Sequence, residues 1–128
     1  MSIFNKKKTM KDELFIWLDN VLSNSLPNEV VAINFNIYED GNNKWSLELV
    51  GTSSFDENDS DWACDEVFTT RNNPFVITLE SDWKTVEDKF SDIIKDYLND
   101  GKYSNLLKKY KGIGIGFVDG DLSIIYKS

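Results

Sequence analysis

The sequence predicts an α+β fold in a single domain, 1–128. Three observations carry this. Two segments alternate apolar and polar residues around Asp-Gly dipeptides, the signature of β-hairpins. Two others repeat apolar residues every three to four positions, as amphipathic helices do. The helical segments bracket the strand segments, which points to helices packed on an antiparallel sheet built from two hairpins plus one strand. A length of 128 residues with 41% hydrophobic residues suits one packed core.

The first helix is expected over Met10 to Leu22, where Met10, Leu14, Trp17, Leu18, Val21 and Leu22 share one face. Thr9 is placed to cap it, with Asp12 three residues on completing a capping-box pair. Residues 1–8, with Lys6-Lys7-Lys8, read as a basic tail before the domain. Val30 to Tyr38 is the first strand, with Val31, Ile33, Phe35 and Ile37 alternating inward. Asp40-Gly41 suits the type I′ turn or part of a slightly longer loop, and Trp45, Leu47 and Leu49 mark the return strand. Thr52 to Asn73 reads as irregular and acidic, and Phe75 to Leu79 as a third strand after Pro74.

Ser81-Asp82 caps a second helix, whose stripe is Trp83, Val86, Phe90, Ile93, Ile94, Tyr97 and Leu98. Gly101 stands where a left-handed C-terminal residue is favoured. A short third helix fits Tyr103 to Tyr110. The chain then forms a second hairpin from Ile113 to Val118 and Leu122 to Tyr126 around Asp119-Gly120. Trp17, Trp45 and Trp83 all fall on apolar faces and are expected in the core.

Composition removes several chemistries. The chain has no histidine, so an imidazole base or ligand and a Ser–His–Asp triad are excluded. One cysteine, Cys64, excludes an intrachain disulfide and a Cys-rich zinc site. Acids surround Cys64 and disfavour its thiolate, so a buried, inert thiol is expected. A net charge of -8 argues against nucleic acid and anionic membrane surfaces as partners. No apolar run suits a signal peptide or a membrane span, and the expected compartment is the cytoplasm. No cofactor is expected. Gly112-Ile113-Gly114-Ile115-Gly116 is not a phosphate loop, because no helix follows it. Its glycines share one strand face and let another segment approach closely.

The most distinctive stretch is residues 56–66. Asp56, Glu57, Asp59, Asp61, Asp65 and Glu66 carry -6 of the net -8, leaving -2 for the other 117 residues. An EF-hand loop starting at Asp56 fails, with Asp61 where Gly is needed and Val67 where Glu is needed. Phe55 and Trp62 are interleaved with these acids, the composition of a surface that meets a basic partner. Trp62 serves either as the anchor of such a surface or as a cap folding the loop onto the sheet.

The stretch Trp62-Ala63-Cys64-Asp65-Glu66-Val67-Phe68 and the later Gly114-Ile115-Gly116-Phe117-Val118-Asp119-Gly120-Asp121-Leu122 occur in a small acidic α+β chain. On these residues, size and element order, the sequence resembles the immunity proteins of bacterial polymorphic and contact-dependent toxin systems. The resemblance implies a non-enzymatic cytoplasmic protein that binds and neutralises a cognate toxin, such as a basic nuclease. Phe55, Asp56, Glu57, Asp59, Asp61, Trp62, Asp65 and Glu66 are then the candidate partner-binding residues. Two other classes remain open: a carboxylate-based metal-binding protein or enzyme, and an assembly module pairing chains through its C-terminal hairpin.

Overall fold

A computed structural model describes residues 8–128; the tail expected at 1–8 lies outside the described residues except for Lys8. Helix α1 spans Met10–Leu22 and β1 spans Ala32–Gly41. Strand β2 spans Lys44–Thr52, and a 3-10 turn spans Ser60–Cys64. Strands β3 (Glu66–Thr69) and β4 (Phe75–Thr78) precede α2 (Trp83–Asp100) and α3 (Ser104–Leu107). Strands β5 (Gly112–Phe117) and β6 (Ser123–Lys127) form the last hairpin.

The fold is α+β, with a six-stranded sheet ordered β3-β2-β1-β5-β6 and β4 sharing the outer edge of β2 with β3. The sheet is mixed where an antiparallel one was expected, because β1 and β5 run parallel at its centre. The cause is α2. It carries the chain from β4, at one edge of the sheet, over its face to β5, the long crossover that parallel pairing requires. The segment expected to be irregular contains the 3-10 turn and β3. Strand β3 is four residues long, and Thr69, Phe68 and Glu66 pair with Val50, Gly51 and Thr52, too few for a period to show in sequence.

The turn between β1 and β2 also differs from expectation. Asn42 and Asn43 take the two left-handed positions, with φ of 53° and 61°, and Gly41 sits before them at 84° beside a register shift. Asparagine tolerates this conformation, so Asn-Asn forms the turn and Asp-Gly lies in the strand end. Gly101 is extended rather than left-handed. Its lack of a side chain matters for another reason: a Cβ there would collide with the Tyr97 ring.

Both long helices cover one sheet face. Leu14, Leu18, Phe90 and Ile94 meet Ile33, Phe35, Leu47, Leu49, Ile113 and Ile115 in a single core. The Thr9–Asp12 capping box is present in both directions, at 3.1 and 3.2 Å. The two helices are joined at Tyr97, whose hydroxyl donates to Asp19 Oδ1 at 2.7 Å and accepts from the Tyr103 N–H.

Burial, and then the Asp19 carboxylate, push the Tyr97 phenol above its usual 10.0; burial does the same to Tyr110. Above pH 10 the unfolded chain therefore loses protons that the folded chain keeps, and stability falls as pH rises. Urea denaturation between pH 8 and 11 should show a decline beginning near pH 10. Tyr97→Phe should lower stability at pH 8 by about 1–2 kcal/mol, for the lost bond to a carboxylate, while flattening the alkaline decline.

Candidate functional site

Helices cover one face of the sheet, so the chemistry is carried by the other face and by the sheet ends. The alternation of β1 places Asn34, Asn36 and Tyr38 on that second face, beside Glu48 of β2. Glu48 is buried, yet it has three polar neighbours. The Tyr38 hydroxyl donates to Oε1 at 2.7 Å, Asn36 Nδ2 donates at 3.2 Å, and Arg71 Nε lies 2.8 Å from Oε2. The last contact is a close ion pair whose N–H does not point squarely at the oxygen. Arg71, the only arginine in the sequence, also reaches Glu66 through Nη2 at 3.1 and 3.2 Å.

These two carboxylates, Glu48 foremost, raise the basicity of the guanidinium, and burial followed by Glu48 raises the Tyr38 phenol. Because Glu48 only accepts, Asn36 must present its amide N–H₂ to it. Asn36 Oδ1 is then left to accept from Asn34 Nδ2 at 2.9 Å. The polarity of the row is thus set from one buried charge. Sequence reasoning missed this network. Its signals were three polar residues alternating with the inward Ile33, Phe35 and Ile37, and a lone arginine.

Arg71→Ala should cost about 1–2 kcal/mol, read from the urea midpoint. Glu48 would stay buried without its counter-ion, and the half-exposed guanidinium discounts the value expected for a fully buried pair. Glu66→Ala should cost no more than about 0.5 kcal/mol, since only the exposed arm of the pair is lost.

The acidic segment lies against the same face. Phe55 and Trp62 stack edge to face, with centroids 5.0 Å apart, and the Phe55 ring occupies the space a Cβ on Gly112 would need. Trp62 is only 3% exposed. Of the two roles open to it, the structure gives it the cap: the indole folds the segment onto the sheet. Its Nε1 has no hydrogen-bond partner among the described residues. Phe55 is half-buried beside it.

The carboxylates are distributed around this pair. Asp56 accepts from the Asn58 N–H at 2.9 Å, and Asp59 caps the 3-10 turn through the Asp61 N–H at 3.0 Å. Asp65 accepts from the Ser54 hydroxyl at 2.6 Å, while Glu57 pairs with Lys127, also at 2.6 Å. Glu66 holds Arg71. Asp61 is exposed and makes no side-chain hydrogen bond or ion pair among the described residues. No group of three or more Cys, Asp or Glu among the described residues is gathered to hold a metal ion. Cys64, expected to be buried, is exposed at the end of the 3-10 turn, because Trp62 takes the inward position of that turn.

One hollow borders the segment, and a second shares a wall with the first. A cleft of about 410 Å³ has Asn34, Asn36 and Gly116 among its lining, with Asp61 and Cys64 from one loop and Asp121 from the β5–β6 turn. Gly116 is obligatory here, since a Cβ would run into the Asp121 backbone. Phe117, Val118, Gly120 and Asp121 also line a larger groove of about 670 Å³, beside the start of α2. There Trp83, expected in the core, is 58% exposed. It begins the helix before the stripe has reached the sheet, whereas Val86 and Phe90 further along are fully buried. Among the described residues, no helix is long and apolar enough to cross a membrane. Compared with protein-family models, curated proteins and solved structures, the chain matches none of them.

Proposed function

We propose that this protein is a non-enzymatic cytoplasmic binding protein that neutralises a basic protein toxin by occupying it, as an immunity protein does. One observation supports the reading above the others. The acidic segment is a held surface, in which Asp56, Asp59, Asp61 and Asp65 form no ion pair among the described residues while Phe55 and Trp62 fix the backbone beneath them. Carboxylates held in place need little ordering when a partner arrives, and unpaired ones project a field that steers a basic surface inward. A toxin that acts on nucleic acid must attract phosphates, so its active surface has the complementary sign.

The test is co-expression with any toxic domain that a reading frame neighbouring the gene encodes, together with binding of the two purified proteins. Growth should be restored and a complex formed. Asp56→Lys combined with Asp61→Lys should slow association roughly tenfold and flatten its salt dependence. Failure of co-expression to protect against such a domain would refute the reading.

A further inference from the structure

The groove beside α2 has features that the acidic segment lacks. Its lining joins an exposed indole, Trp83, to Phe117 and to Val118, itself 47% exposed. Trp83 and Phe117 meet edge to face at 6.0 Å, and Trp45 backs Phe117 from the core, also at 6.0 Å. The aromatic wall is therefore continuous from the core to the surface. It stands at the carboxyl ends of the parallel strands β1 and β5, and four acids from three separate elements surround it: Glu39, Glu87, Asp119 and Asp121. The nearby cation is Lys84, already engaged by Glu87 at 3.5 Å and Asp88 at 3.2 Å. The positive end of α2 is offset by its capping carboxylate, Asp82. Glu39, Asp119 and Asp121 have no ion-pair partner among the described residues.

We propose that this groove receives an arginine side chain presented by a basic protein partner. The partner's basic character rests on the function proposed above; the choice of side chain rests on the groove. A guanidinium is flat and weakly hydrated, so it stacks on an indole face while its N–H fork bonds carboxylates at the rim. Its aliphatic stem has Phe117 and Val118 to cover. A lysine ammonium matches the charge but neither the flat ring nor the fork. An apolar side chain would match the ring and leave the carboxylates desolvated without compensation. Phosphates are repelled. The groove also adjoins the acidic segment, since Asp121 lines both hollows and Asp61 lines the smaller one, so one partner can cover both.

The sequence has four tryptophans, which supply the internal control. Indole N–H signals of the full chain are followed by nuclear magnetic resonance while acetyl-Gly-Arg-Gly-amide is added. The lysine analogue and the uncharged citrulline analogue are run in parallel. The arginine peptide should shift the Trp83 signal with millimolar affinity and leave Trp17, Trp45 and Trp62 in place. The lysine peptide should bind at least severalfold more weakly, and the citrulline peptide should give no shift. Trp83→Ala, or Trp83→Leu, should abolish binding as read from the backbone amide signals of Val118 and Asp119, with the urea midpoint only slightly lowered, and Asp119→Asn with Asp121→Asn should weaken binding severalfold.

Equal shifts from the citrulline peptide would overturn the proposal, as would a response centred on Trp62. A Trp83 shift that depends on protein concentration without peptide would assign the groove to a second copy and overturn it too. The two proposals fail separately. A Trp83 response without protection from a toxin removes the function and keeps the groove, whereas protection without a Trp83 response does the reverse.

Discussion

Replacing Trp62 with alanine is expected to remove about 3–4 kcal/mol of unfolding free energy, within the range for truncating a buried aromatic ring. The indole is almost wholly enclosed and stacks on Phe55, which in turn fills the hollow over Gly112. Its loss opens a cavity between the acidic segment and the sheet and frees the Phe55 ring. Trp62→Phe should cost less than about 1.5 kcal/mol. It keeps a ring in place and discards an Nε1 donor that has no partner among the described residues. Urea denaturation gives both values, and limited proteolysis should cut the alanine variant within residues 53–66 first. If the proposed function holds, Trp62→Ala also weakens toxin binding although every carboxylate is intact, because the surface is no longer held.

Gly116→Ala is expected to cost about 2–3 kcal/mol, the upper part of the range for overpacking. The added Cβ meets the carbonyl of Asp121, which is backbone and cannot rotate away as a side chain would. Relief requires the β5–β6 turn to lift from the second face, where it walls both hollows. The same change at Gly120 has room, with its nearest neighbour 3.5 Å away, and serves as the control. A matching drop in the urea midpoint at both positions would mean that the turn yields freely.

What the sequence revealed was local. Met10–Leu22 was legible to the residue, because capping by Thr9 and Asp12 and the spacing from Leu14 to Leu22 are properties of one short stretch. The two hairpins and the one-sided glycines of β5 were legible for the same reason. The parallel pairing of β1 with β5 was not, since nothing near either strand records which distant strand lies beside it. Trp83 was misplaced because periodicity shows which residues share a face and leaves open how far along the helix that face stays covered; Cys64 was misplaced because no period in its segment marks which residue turns inward, and Trp62 does. The acidic segment was visible because its charges are consecutive. The groove was hidden because Glu39, Trp83 and Asp119 come from three separate parts of the chain.

The pairing of β1 with β5 also governs the order of assembly. The β1–β2 hairpin closes over Asn42 and Asn43 alone, while Ile33 meets Ile113 from 80 positions away along the chain. Closing a loop of that length carries an entropic cost of ~4 kcal/mol beyond a constant term. The hairpin is therefore expected to form early and the middle of the sheet to be completed late, since distant pairings must first meet their loop-closure cost. Until β5 has been synthesised and docks, the inner edge of β1 stands bare, with the apolar side chains of Ile33, Phe35 and Ile37 beside it. That interval is when a neighbouring nascent chain is most able to pair in its place.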